Sequence, residues 1–329
     1  VCASKPASSA VEEGGTTRRG LLGAVATAVC GAYWTLPAVP SSARPVDASA
    51  GAAGVLNVVA HPDDDLLFLS PALLQSLRCG DPVQTLFLTA GDAGAGPRYW
   101  RRRELGVRAA YARMARVEDW WVPAPQEASP YVTVGLAAAP HVRLSFVRLP
   151  DGGHWRGDGY HPDESLLRLW RGQQARVAAV DRSGAYSRAH VVDLLLAAMA
   201  ATRPAVVRTL DFTGTFGDGD HDDHHATAYL TQAAASSYAV PHRLESYLGY
   251  PVARRPANVT GALLEAKTEA FTAYASRDPR VCAPADPACG ARAYPDWLRR
   301  QYRSVARPRD RAGDDGDSGR PPAGPRTTL

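Results

Sequence analysis

From residue 55 onward, short β-branched apolar runs alternate with longer amphipathic stretches. Val55-Leu56-Asn57-Val58-Val59-Ala60 is apolar at all but one position and gives way at once to turn residues, which predicts a strand buried on both faces of a parallel sheet. Leu66 to Leu77 carries apolar residues at helical spacing. Val83 to Thr89 repeats the strand pattern, Gly91 to Pro97 is a glycine-rich loop, and Tyr99 to Arg116 predicts a long amphipathic helix. Further strands are expected at Val142 to Val147, Val206 to Leu210 and Leu244 to Leu248. The intervening helices are expected at Glu164 to Arg171, Val191 to Ala201, Asp222 to Ala235 and Leu263 to Ala275. Such alternation predicts an α/β fold, a Rossmann-like, mostly parallel sheet with helices on both faces and right-handed crossovers.

The ends of the chain break this rhythm. Thr17-Arg18-Arg19-Gly20-Leu21-Leu22 opens a mildly apolar run that reaches Trp34 and is followed by small residues and prolines, which looks like a twin-arginine export signal cleaved after Ala43 or Ala50. From Arg307 the chain is Pro, Gly, Asp and Arg with hardly an apolar residue, the composition of a disordered tail. The expected organisation is therefore an export signal and linker over 1–50, one domain over 51–305 and a tail over 306–329, in a secreted protein.

Composition narrows the partners. The 37 basic and 33 acidic residues leave a net charge of +4 without an extended basic run, which argues against a nucleic-acid partner. Beyond the signal no segment approaches the ~20 apolar residues of a membrane span. Cys2 and Cys30 would leave with the signal. Cys282 and Cys289 enclose a short loop and are expected to form a local disulfide in an exported protein, which leaves Cys79 as a buried free thiol at a helix end.

Candidate chemistry sits where the strands end. His61-Pro62-Asp63-Asp64-Asp65 directly follows the first strand, at the edge where open α/β sheets place ligands. Consecutive carboxylates buried together repel, and a nearby cation relieves that cost. Taken alone, the same residues also fit a solvated acidic helix start with proline in the first turn. A second cluster, Gly217-Asp218-Gly219-Asp220-His221-Asp222-Asp223-His224-His225, follows the strand at Val206 to Leu210 and opens a helix. Two His and a carboxylate are a common ligand set of a catalytic zinc that keeps positions open for water and substrate. His225, adjacent to His224 rather than three or four residues on, is expected to point away. His161-Pro162-Asp163-Glu164 repeats the letters of the first cluster but follows a polar, glycine-rich segment, so a helix cap explains it. His141, His190 and His242 lack acidic neighbours and are read as surface or satisfied residues.

Together the two clusters resemble the de-N-acetylase family that includes the GlcNAc-phosphatidylinositol deacetylases and the LmbE-like bacterial enzymes. Ala60-His61-Pro62-Asp63-Asp64-Asp65 looks like its first signature, with Asp65 where Glu is common, and His221-Asp222-Asp223-His224 like its second. Thr89 to Gly94 with Arg103-Glu104 looks like the loop and helix between them. The resemblance, which spans Val55 to Ala275, implies a Zn2+ held by His61, Asp64 and His224, with Asp63 as general base. It implies that His221 stabilises the oxyanion or protonates the leaving amine, and that Asp223 orients His221. One position departs: Gly219 stands where family members can carry a Tyr, which leaves the oxyanion donor beside the metal unassigned. Tyr99-Trp100, Arg148-Leu149-Pro150-Asp151-Gly152 and Gly217 to His221 look most like the actinobacterial deacetylases of glycopeptide antibiotics.

The expected activity is thus zinc-dependent hydrolysis of the N-acyl amide of a small glucosamine-containing conjugate. Two other readings compete with it. His61-x-Asp63 with a distant His also spells the facial triad of a non-haem Fe(II) oxygenase, whose jelly-roll scaffold conflicts with the helix-rich pattern. A metal-containing carbohydrate-binding protein would not need Asp63 and His221.

Overall fold

The computed structural model describes residues 54–124, 130–151, 164–287 and 293–304. The expected export segment and tail lie outside these residues. In chain order the elements begin with β1 (Val55–Val59), a π-helical turn (Asp65–Leu69), α1 (Ala72–Cys79), β2 (Val83–Thr89) and α2 (Pro97–Ala115). Then follow β3 (Trp121–Pro123), β4 (Val132–Leu136), β5 (Ala139–Leu149), α3 (Leu166–Trp170), a small hairpin of β6 (Val177–Ala178) and β7 (Ala185–Tyr186), and α4 (Arg188–Thr202). The series ends with β8 (Val206–Leu210), α5 (Asp222–Ser237), β9 (Arg243–Tyr247), a 3-10 turn (Tyr250–Arg254), α6 (Gly261–Ala275) and α7 (Tyr294–Leu298).

Seven strands form the main sheet in the order β3-β4-β5-β2-β1-β8-β9. The five from β5 to β9 pair in parallel, while β3 and β4 add an antiparallel edge. Helices cover both faces, as the alternation predicts. Leu73, Val107, Tyr111, Phe271 and Tyr274 of α1, α2 and α6 pack one core. Leu166, Leu195, Met199 and Leu230 of α3, α4 and α5 pack the other. Because β2 follows on one side of β1 and β8 returns on its other side, the chain reverses direction across the sheet between β1 and β8. The crevice at such a switch point lies outside the carboxyl ends of the strands, where loops from both sides meet.

Several expectations are corrected. The helix predicted over Leu66 to Leu77 is two pieces, because Pro71 has no N–H to donate and its ring blocks the preceding turn. The edge strands β3 and β4 were not anticipated; they are short and carry Pro123 and Gly135, residues that weaken a strand signal. Cys79 is exposed and disulfide-bonded rather than a buried free thiol. Cys282 is disulfide-bonded too, while Cys289 lies outside the described residues, as do His161, Pro162 and Asp163. The helix after them starts at Leu166 under a Ser165 cap, whose side chain accepts from the Arg168 amide. Among the described residues no helix is long and apolar enough to cross a membrane.

Candidate active site

The loop after β1 is folded by its own backbone. The Asp63 amide donates to the His61 carbonyl at 2.9 Å, and the Asp63 carbonyl accepts from Leu66 and Leu67 at 3.0 Å each, opening the π-helical turn. The His61 amide donates to Asp64 Oδ2 at 2.7 Å, so the ligand candidate also closes the turn. His61 to Asp65 are all buried. Arg103 of α2 reaches this loop from the side: its Nη2 donates to Asp63 Oδ1 (2.7 Å) and its Nη1 to the Gly91 carbonyl (2.7 Å), while Nε donates to the Tyr274 hydroxyl (2.7 Å). Gly91 has φ +58, and a Cβ there would fall 2.1 Å from Arg103 Nη1 and 2.8 Å from Pro62 Cδ, so the glycine loop closes on the arginine only as glycine. Burial pushes the Asp63 carboxyl up and Arg103 pulls it back, with a net rise.

The loop after β8 is folded by side chains. Asp211 Oδ1 accepts from the amide and hydroxyl of Thr213, and Asp218 accepts from the amides of Thr215 and Asp220. His225 faces away from the cluster, its ring spanning the Asp211 carbonyl (2.9 Å) and Asp218 Oδ1 (3.0 Å). His221 caps α5: its Nδ1 accepts from the Asp223 amide at 3.1 Å. A ring nitrogen that accepts has no proton, so the His221 proton is on Nε2, which lies 3.7 Å from Asp151 Oδ1. His224, one turn on, has its Nδ1 2.7 Å from Asp220 Oδ1, and its Nε2 stands 3.0 Å from Asp64 Oδ1.

The two loops bring His61, Asp64 and His224 together, with one donor atom of each within 4.8 Å of the others. Among the described residues, Nε2 of His61 and Nε2 of His224 are buried and meet no partner in hydrogen-bond geometry, although carboxylate oxygens stand 3.5 and 3.0 Å from them. Burial works against charge on His224, yet Asp64 and Asp220 outweigh it and push its pKa up to about 10. Burial likewise opposes ionisation of Asp64, and the two histidines overcome it to hold that carboxyl well below its usual range. Unpaired ring nitrogens facing carboxylates in a dry crevice fit a divalent cation, and two His with one Asp leave coordination positions open. Asp63 sits beside this group on Arg103. The Asp223 carboxylate stands 3.5 Å from His61 Nε2, and it is the backbone amide of Asp223 that meets His221.

Three residues of the site carried no role in the sequence. Asp151, after β5, places Oδ1 3.7 Å from Nε2 of both His61 and His221. Its place directly after a strand was the available signal. Asp220 holds Nδ1 of His224 and also accepts from the amides of His221 (2.9 Å) and Tyr250 (3.0 Å). Its signal was the i,i+4 spacing to His224. Tyr250 comes from the 3-10 turn after β9, and nothing local marks it. It lines a cavity of about 320 Å3 that also holds Asp63, Asp64 and His221, walled by Tyr99, Tyr294 and Trp297. A larger groove of about 980 Å3, bordered by β4 and α4, contains none of the cluster. At Gly219, φ is +101, a conformation that residues with a side chain rarely adopt, and a Cβ would fall 2.8 Å from Arg254 Nη2, so a tyrosine there would strain the backbone and displace the end of that arginine.

The family model described as PIG-L, GlcNAc-PI de-N-acetylase, matches residues 56–235, more than half of the chain. No curated protein matches the chain. Among solved structures, a conserved protein from Thermus thermophilus is 21% identical, with 68% of this chain and 78% of that chain covered and a TM-score of 0.37. A deacetylase of the teicoplanin biosynthesis pathway is 16% identical over 67% of this chain and 83% of its own, with a TM-score of 0.43. The N,N'-diacetylchitobiose deacetylase from Pyrococcus horikoshii is 15% identical over 70% and 72%, with a TM-score of 0.41.

Proposed function

The chain belongs to the PIG-L family of GlcNAc-PI de-N-acetylases, and from that premise we propose that it removes the N-acetyl group of a glucosamine-containing conjugate in a zinc-dependent hydrolysis. The observation that carries this is the convergence of His61, Asp64 and His224 on one point, with Asp63 lining the same cavity. A zinc ion bound there would polarise the amide carbonyl and lower the pKa of the attacking water. Asp63 receives the proton of that water. With Oδ1 held by Arg103, Oδ2 remains for the transfer. As the C–N bond breaks, the same proton passes to the departing nitrogen, so the products are acetate and a free amine. His221 presents its Nε2–H to charge developing on the substrate, and the Asp223 amide holds the ring in that tautomer.

Two finer points belong to the same reading. The stretches Tyr99-Trp100, Arg148 to Gly152 and Gly217 to His221 favour a glycopeptide pseudoaglycone as the conjugate, and Arg18-Arg19 with the apolar run after them favours twin-arginine export. The test is acetate release from a panel of N-acetylglucosamine conjugates, a glycopeptide pseudoaglycone among them, before and after chelation and with zinc restored. Release that is lost with chelator and regained with zinc supports the hydrolase. Fully metallated protein that releases no acetate from any conjugate would refute it.

A further inference from the structure

Asp63 is held by a chain of buried contacts that starts outside the cavity. Arg103 fixes Oδ1 of Asp63 at 2.7 Å, and the direction of that guanidinium is set at its other end. Nε carries a single N–H, which donates to the Tyr274 hydroxyl at 2.7 Å. The hydroxyl donates in turn to Asp278 Oδ2 at 2.6 Å. Burial pushes the Tyr274 hydroxyl well above its ordinary value, so it keeps its proton, and with that proton committed to Asp278 only its lone pairs face Arg103. A second acceptor competes for the same donor: Asp278 Oδ2 lies 3.2 Å from Arg103 Nε, close enough to draw the guanidinium away from Asp63. The hydroxyl stands between the two and answers both, which leaves Nη2 turned to Asp63. Helix packing puts it there. Gly106 stands one turn after Arg103 on α2, and a Cβ at that position would fall 2.6 Å from Cδ2 of the Tyr274 ring. Glycine weakens a helix interior, but here it lets the ring carried by α6 cross α2 and reach Nε. A phenylalanine would fill the same space, so packing alone does not account for the hydroxyl.

Resting on the deacetylase reading above, we propose that Tyr274 is a positioning residue for the hydrolysis: its hydroxyl, oriented by Asp278, keeps Arg103 on Asp63 so that Oδ2 of the base faces the attacking water. Tyr274 is not among the residues that line the cavity, so it acts only through Arg103 and Asp63. It also lies beyond residues 56–235, outside the segment that matches the family model. Asp278 continues the chain to the cavity wall, because its Oδ1 accepts from the amide of Arg280 at 2.9 Å and Arg280 lines the cavity.

Tyr274→Phe keeps the ring against Gly106 and removes the hydroxyl alone. Nε then turns to Asp278, and kcat for acetate release should fall by about 10–100-fold, the scale expected when a reacting group is misplaced by about 1 Å, with KM and zinc content unchanged. The same substitution is then made in Asp63→Asn protein, whose residual turnover is read in single-turnover assays. With no base left to position, Tyr274→Phe should change that residual rate by less than about twofold. Removing the competing charge as well, in Tyr274→Phe with Asp278→Asn, should recover most of the rate lost from the wild type. An equal fold loss with and without Asp63 means a general structural role and overturns the proposal. So does a wild-type kcat in the single variant, a zinc loss in proportion to the rate, or no recovery with Asp278→Asn. Wild-type protein that releases no acetate from any conjugate removes the deacetylase reading itself, whereas active wild type with equal losses in both backgrounds removes Tyr274 alone.

Discussion

The loops after β1 and β8 both deliver groups to one crevice, and they are built differently. The first is five residues of backbone hydrogen bonds anchored from afar by Arg103. The second is a longer segment whose shape depends on the carboxylates of Asp211, Asp218 and Asp220. A turn closed mainly by its backbone, with Asp64 the one side chain shown helping to close it, leaves the others available for chemistry. A loop folded by side chains commits most of them to its own geometry, so substitutions there should act on the site through scaffolding.

The largest effect expected is within the first loop. Asp63→Asn should lower kcat by about 10²–10⁴, the usual worth of a positioned base, while metal content stays at wild-type level. His224→Ala, on the second loop, should lose both metal and turnover. Metal analysis of the two purified variants checks this, and equal metal loss would end the division between base and ligand.

Next comes the anchor. Arg103 is buried against Asp63 at 2.7 Å and Asp278 at 3.2 Å. Arg103→Met strands both carboxylates in a dry environment, a change that costs about 3–5 kcal/mol when a buried pair is broken from one side. Urea unfolding should show the loss. Adding Asp63→Asn should recover part of it, because one of the two stranded charges is then gone; a double variant no more stable than Arg103→Met would mean that Asp63 is neutral in the folded protein.

The same contrast decides what the sequence could tell. His61, Asp63 and Asp64 were legible because a short turn directly after a β-branched strand leaves little freedom in where its residues go. The mostly parallel sheet was legible for a related reason, since β1 and β2, buried along their whole length, read as largely apolar runs, whereas the order of the strands was not readable from the sequence. The edge strands β3 and β4 alternate weakly and escaped. Arg103 belonged to a recognisable stretch, but its contacts run 40 residues back to Asp63 and 171 forward to Tyr274, and no local pattern encodes such a pairing. Tyr250 escaped for the same reason, entering the cavity from a turn beyond the last strand.

On the second loop, Asp220→Asn keeps an oxygen that can accept from His224 Nδ1 but loses its charge. Partners of this kind are typically worth about 10–100-fold in metal affinity, and a chelator-competition titration with zinc should find a loss in that range. Asp218→Asn weakens the bond to His225 without touching a ligand candidate. It should cost about 1–3 kcal/mol of stability and leave metal affinity close to wild type. If Asp218→Asn also weakens zinc tenfold, the whole loop, rather than Asp220 alone, sets the geometry of His224.

The smallest effect tests a second anchor of the first loop. Lys267 of α6 is buried, and its Nζ donates to the carbonyls of Leu67 (2.7 Å), Arg300 (3.0 Å) and Trp297 (3.4 Å), tying the π-helical turn to the segment around α7. Lys267→Met leaves these carbonyls without that donor and should destabilise the fold by about 1–3 kcal/mol. The cost should depend on pH in a definite direction. Burial lowers the Lys267 pKa from 10.5 to about 7, so between those values the unfolded chain binds a proton that the folded chain does not. Wild-type stability then rises with pH through that window, and the full penalty of ionising the buried amine applies below about 7. The methionine variant lacks this slope. Its deficit against wild type should therefore be larger near pH 9.5 than near pH 6.5 in paired urea titrations. Equal deficits at the two values would mean that the three carbonyls keep the ammonium charged throughout, and that the first loop is tethered by a buried cation at both of its anchors.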